Sequence, residues 1–493
     1  MTAMTAGRAG NVLLVVLCGL CVLAALLLLG QVLVPVPIRL PGITIDRLSA
    51  LMALLVALVG ATTYRFALRY LAGEVNQRVF LNWLAFTIIA ALLLMLATHL
   101  LVLFVAWMLT SIGLHQLLTH YHDRREAVAP ARKKFLISRL GDLILVAAIS
   151  LIWVRYDTLD IYTFFARVAE TGTTPTSIAV LVALAALMKS AQFPFHSWLP
   201  ETMEAPTPVS ALMHAGIINA GGVLLLRFAP LIVAAPWALL LLAVIGTITM
   251  ALGMLAMWAQ TDIKRTLAWS TVSQMGFMMV QCGLAVFPAA ALHIVGHGCY
   301  KAWSFLRSGE LPAGRGYVPQ LPPAQALGWG LAGTLVAVPT LAQAALLTGF
   351  NPLHSPGELA LTAIVALSIG QLWVAVARAG GKFASRLLFS LGLTLALSVG
   401  ALWLYHGAAL FFAPALGQIP APTGPLAWVA ATLPVMVLAA LAVLHALLPT
   451  IERSAAGRAL HVHALHGFYL GMIANRIVER VWATFPSTRA TNV

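Results

Sequence analysis

Residues Met188–His214 read MKSAQFPFHSWLPETMEAPTPVSALMH. The stretch packs Lys189, His196, Glu201, Glu204 and His214 around Pro194, Pro200, Pro206 and Pro208. Charge is costly in lipid and proline removes backbone donors, so the two together in a very apolar chain predict a functional break in a membrane-spanning helix. The carbonyls freed at such a break must face protein or a hydrated cavity.

Outward from this stretch, composition sets the class. Of the 493 residues, 61% are hydrophobic and 9% charged, and the mean hydropathy is +0.94. A soluble domain of this make-up could not cover its surface with polar groups, which leaves a polytopic membrane protein. Cys18 and Cys21 have a CGLC spacing but lie within an apolar run, where cysteine packs as a small hydrophobe. Asn11 to Pro35 is too long for the core of a cleaved signal, so this first run is expected to remain as a helix.

At about 20 apolar residues per span, helices are expected at about 11–34, 46–64, 79–97, 99–119, 135–154 and 176–193, followed by the broken segment and a helix ending near 229. Seven more are expected at about 237–258, 266–283, 288–306, 325–348, 359–377, 387–413 and 427–448, for a total of about 14. The 29 Lys and Arg residues divide unevenly over this frame. With a cytoplasmic N-terminus, 21 lie inside, including Arg132, Lys133, Lys134, Arg315 and Arg489, against four outside and four within spans. Such a bias predicts cytoplasmic N- and C-termini, and it accounts for the net charge of +14 by anionic lipid headgroups, with no nucleic-acid partner.

Few ionisable residues fall within spans. Arg139 and Asp142, three apart in FLISRLGD, share a helix face as a self-neutralising pair or as part of an ion path. Lys189 has no acid within a turn of it, and either snorkels to the cytoplasmic side or titrates beside the break. His293, His297 and Lys301 recur every four residues in HIVGHGCYK and so form one stripe along a helix. No carboxylate or cysteine completes a metal site there, so a proton relay is the preferred reading over a merely satisfied polar stripe.

The segment KSAQFPFHSWLPETMEAPTPVSALMHAG resembles the hallmark of the antiporter-like subunits of respiratory complex I and of Mrp antiporters. QTDIKRTLAWSTVSQMGF, HIVGHGCYKAWSFL and SRLGD resemble further blocks of that family, so the likeness covers about residues 100–310. It implies an all-α fold with antiporter-like inverted repeats and discontinuous helices. The expected divisions are N-terminal helices over 1–78, a first repeat over 79–230, a degenerate second repeat over 231–413, and a last span with a cytoplasmic amphipathic segment over 414–493. By the same resemblance, Lys189 matches the broken-helix lysine, His214 the histidine of the following helix, and His293, His297 and Lys301 the connecting relay. Arg139 and Asp142 match a helix pair of the family.

Two departures stand out. Where the family has a glutamate after the tryptophan, WMLTSIGLHQLL has Met108 after Trp107, so Lys189 needs another partner: Asp142, Glu201 or Glu204, with His115 as a neutral relay group. The GFFSKDE-like block is also missing, with TGFNPLHSPGE at 348–358 in its neighbourhood.

WMLTSIGLHQLLTHY, the proline-rich segment and the ending ALHGFYLGMIANRIVERVW are most similar to DabB, the membrane-subunit family of inorganic carbon accumulation complexes. That resemblance implies a non-enzymatic transport subunit of a bacterial inner membrane, passing a cation, preferably H⁺, down its gradient. It also implies a cytoplasmic partner, DabA, that contains zinc and is similar to β-carbonic anhydrases; no cofactor or metal is expected in this chain. Phe468, Leu470, Ile473 and Ile477 fall near helical spacing, so the final segment is expected to dock on that partner or lie on the membrane surface. The competing classes are a monovalent cation/proton antiporter subunit and a proton-pumping subunit of a complex I-like or hydrogenase complex.

Overall fold

The computed structural model describes residues 2–310, 320–417 and 419–483, so Arg315 and Arg489 lie outside it. The described chain is helical apart from one short hairpin, β1 (Ile38–Leu40) and β2 (Ile43–Ile45), in which Arg39 faces Thr44. The first helices are α1 (Thr2–Leu33), α2 (Arg47–Tyr70), α3 (Gln77–Leu96), α4 (Leu100–Leu118), α5 (Arg125–Tyr156), α6 (Ile161–Thr171) and α7 (Thr176–Lys189). After the break come α8 (Thr207–Ala215), α9 (Ala220–Arg227), α10 (Ala229–Val233), α11 (Pro236–Ala259), α12 (Ile263–Gly283) and α13 (Phe287–Leu306). The chain continues through α14 (Pro323–Thr348), α15 (Pro356–Arg378), α16 (Phe383–Leu416), α17 (Pro425–Ile451), α18 (Ala455–Leu465) and α19 (Leu470–Ala483).

Among the described residues, 11 helical stretches are long and apolar enough to cross a membrane, with α8 and α9 counted as one. Adding α7, α12 and α13 gives the 14 expected segments. These three fall short for physical reasons: α7 has only 14 residues before the break, while α12 and α13 carry the lysines, histidines and glutamines of the interior. Large side chains such as Leu143, Val154, Leu346 and Trp403 stand exposed on the outer helix faces. That is the surface expected of a protein dissolved in lipid, and the chain is an integral multi-pass membrane protein.

The break itself is buried. Ser190, Gln192, His196 and Ser197 are each 3% exposed or less. Side chains take up its stranded backbone groups: Thr249 Oγ1 accepts from Phe193 N at 3.0 Å, and Gln192 Nε2 donates to Ser190 O at 2.8 Å. Polar groups that lipid could not satisfy are thus satisfied within the protein.

Two expectations need correction. α5 begins at Arg125, not near 135, because its first turns are too polar for a hydropathy window to register. Lys133 and Lys134 are therefore interior residues, 0% and 4% exposed, and not loop charges. The helix expected to end near 229 is also interrupted, by a 3₁₀ turn at Ile217–Asn219 between α8 and α9.

Candidate cation path

Lys189 ends α7 and points into the contact between α4 and α5. Its Nζ donates to Trp107 O at 3.1 Å, Thr110 Oγ1 at 3.0 Å and Ser111 Oγ at 3.1 Å. It also sits 4.4 Å from the centre of the Trp107 ring. No carboxylate touches it among the described residues. Asp142 pairs with Arg139 at 2.7 Å and accepts from Trp107 Nε1 at 3.1 Å, so the acid reaches Lys189 only through the tryptophan that both contact.

Glu201 and Glu204 do not face Lys189. The break turns them toward the start of α5, where Glu201 accepts from Lys133 at 2.6 Å and Glu204 from Arg124 at 3.0 Å. Lys133 also lies 3.5 Å from the carbonyl of Gly471, at the start of α19. Glu201 and His115 line an open vestibule of about 1670 Å³ together with Arg132, Trp269 and Gly471. His115 leans on Phe135, with ring centres 5.3 Å apart, and lies one turn along α4 from Ser111, the partner of Lys189.

The second group of residues meets where α8 crosses α13. His214 is fully buried and stacks on Phe305 at 4.4 Å. Lys301 is also fully buried, donating to Leu267 O at 2.9 Å and Ser270 Oγ at 2.8 Å. His297 and His293 have ring centres 5.7 Å apart, and His293 Nδ1 lies 2.7 Å from Gln281 Oε1. Among the described residues, neither ring nitrogen of His214 has a partner, nor does His297 Nε2. Gly298 permits the crossing, since a Cβ there would lie 2.8 Å from the Ala215 carbonyl. Gly298→Val should force the helices apart at a cost of about 1–3 kcal/mol or more. Thermal unfolding in detergent reads this directly, and an unchanged midpoint would show that α8 and α13 adjust without penalty.

Beyond His293 lie two residues that sequence reading did not select. Tyr405 lines a cavity of about 340 Å³ with His293 and Gln281, and also a second cavity of about 180 Å³ with Glu358 and His354. Its hydroxyl donates to Glu358 Oε1 at 3.1 Å, while the buried Glu358 Oε2 has no partner among the described residues. Tyr405 is the wall between the two cavities. The signal for Glu358 was present in the TGFNPLHSPGE departure; a lone tyrosine in the apolar α16 gave none.

Comparison with known proteins agrees with this architecture. The family described as NADH:quinone oxidoreductase/Mrp antiporter, TM, matches residues 97–317. A DabB2 inorganic carbon transporter subunit of Halothiobacillus neapolitanus is 35% identical over 446 residues, covering 90% of this chain and 80% of the relative. The chain belongs to the DabB family. A DabB subunit of Hydrogenovibrio crunogenus is 43% identical over 270 residues, 54% of this chain and 52% of that relative, so the match spans about half the length of this relative. Among solved structures, an Mrp complex from Dietzia sp. DQ12-45-1b superposes with a TM-score of 0.60 at 24% identity, covering 96% of this chain and 61% of that one. Respiratory complex I from Thermus thermophilus gives a TM-score of 0.52 at 23% identity over 91% of this chain and 93% of that one. These structures share the fold.

Proposed function

We propose that the chain is the H⁺-conducting membrane subunit that energises inorganic carbon uptake by a DabA-type partner. The observation that carries this reading is the succession of buried titratable side chains between two openings. The contacts run from the Glu358 cavity through Tyr405, His293 and His297 to Lys301 and His214 at the crossing of α8 and α13. We assign the next step to Lys189, whose partner Ser111 lies one turn of α4 from the vestibule-lining His115. Neutral imidazoles, tyrosine hydroxyls and amines held away from water can hand protons along such a line. The repeats over 79–230 and 231–413 would meet at the crossing of α8 and α13.

With both termini cytoplasmic, the Glu358 cavity opens outside the bacterial inner membrane and the vestibule opens to the cytoplasm. Protons moving down their gradient then arrive beside α18 and α19, where the partner docks. CO₂ hydration belongs to the zinc site of that partner, and proton flow makes its conversion to bicarbonate one-way. The test is uptake of labelled inorganic carbon by cells expressing this chain with the protein encoded beside it. A protonophore should abolish uptake, and removal of sodium should not. Sodium-dependent uptake that survives the protonophore would overturn the choice of H⁺. Sodium or potassium exchange without carbon uptake would return the antiporter reading.

A further inference from the structure

Lys134 reaches the same residue as Lys189. Its Nζ donates to the Ser111 carbonyl at 2.7 Å, while Lys189 Nζ donates to the Ser111 hydroxyl at 3.1 Å. The two amines come from α5 and α7 and border one enclosed cavity of about 20 Å³, lined also by Trp107, Ser111 and Ser138. That volume is enough for a single water, and the lining offers it several polar partners. Lys134 is 4% exposed, so this is an interior amine and not a surface charge that happens to point inward. Ser111 accepts from both, yet no carboxylate bonds to either lysine among the described residues.

We propose that Lys134 and Lys189 form a two-amine unit holding one exchangeable proton, with Lys134 in the role that a carboxylate partner of Lys189 would otherwise fill. Two ammonium charges on one serine, out of water and without a bonded counter-ion, repel each other. One proton between them removes the repulsion and still leaves a charged donor for the oxygens of Trp107, Thr110 and Ser111. In the transfer, an N–H bond of the charged amine breaks, a proton crosses by way of the cavity, and the lone pair of the other amine forms the new N–H bond. The pair carries a charge of +1 before and after. The other groups bearing on Lys134 are Arg139 and Asp142 on its own helix, His115 on α4, and Arg132 beside that histidine. Lys134 thereby extends the path from Lys189 toward the vestibule that His115 lines.

The inference rests on the proton-path reading, and two substitutions separate the fates of the two. Lys134→Arg keeps the charge and the donors, but a guanidinium does not release its proton. Lys134→Arg and Lys134→Gln should each lower carbon uptake per amount of inserted chain by about tenfold or more and shift the pH profile of what remains. Lys134→Gln combined with Lys189→Gln should be no worse than the more damaging single change, because either one already breaks the unit. Wild-type uptake and pH profile in Lys134→Arg would overturn the two-amine unit by showing that a fixed charge suffices, and strictly multiplicative losses would overturn it too. Those results beside an inactive Lys189→Ala sink only the unit, whereas an active Lys189→Ala sinks the path reading along with it.

Discussion

Lys189→Ala and Lys301→Ala should each reduce coupled carbon uptake by about a hundredfold, equivalent to roughly 2.7 kcal/mol at the barrier. Among the described residues, Lys301 shares its hydrogen-bond partners with no other amine, and Lys189 shares Ser111 with Lys134. Lys301 is held by the Leu267 carbonyl and the Ser270 hydroxyl, two neutral oxygens that can orient it but cannot replace it. Alanine removes the amine that bears on both His297 and His214, and a proton then has no ammonium site to wait on in this buried crossing without a large desolvation cost. The measurement is uptake rate against inserted protein, with thermal unfolding as the check on folding. If either alanine variant transports at the wild-type rate, the succession of side chains is not the route.

The largest stability effect should come from the other end of the bundle. Asp46 caps α2 by accepting from Ser49 N and pairs with both guanidinium nitrogens of Arg227 at the end of α9, with both side chains 6% exposed or less. Tyr162 adds a hydroxyl to the same carboxylate at 3.4 Å. Arg227→Met would strand a buried carboxylate and should cost about 3–5 kcal/mol. Adding Asp46→Asn removes the stranded charge, so the double variant should unfold at a higher temperature than Arg227→Met alone. A double variant that melts lower still would show that the Asp46 cap, not the ion pair, dominates this corner. Carbon uptake at low temperature should be little changed in the double variant, since neither residue lies on the proposed path.

Much of the fold could be read from the chain because lipid enforces simple rules. A span must be long and apolar, and the rhythm of spans and loops placed even α12 and α13, whose polar stripes lower their hydropathy. The same rule hid Lys133 and Lys134: a window that treats lysine as a loop marker starts α5 too late, and only the packed helix reveals amines facing inward. Glu201 and Glu204 failed for a different reason. They lie within a few turns of Lys189 along the chain, but an irregular backbone has no fixed period by which to say which way they point, and the break aims them at Lys133 and Arg124. Glu358 and Tyr405 are 47 positions apart, a pairing that no local pattern encodes.

Gly471 ties the start of α19 directly to the interior. Its carbonyl lies 3.5 Å from Lys133 Nζ, and a Cβ on it would meet Glu201 Oε1 at 2.5 Å. α19 therefore begins with its backbone pressed against the ion pair that borders the vestibule, with no side chain in between to absorb movement. If the proposed partner docks on α19, it holds a short handle, because the first backbone turn of that helix lies directly against the Lys133–Glu201 pair.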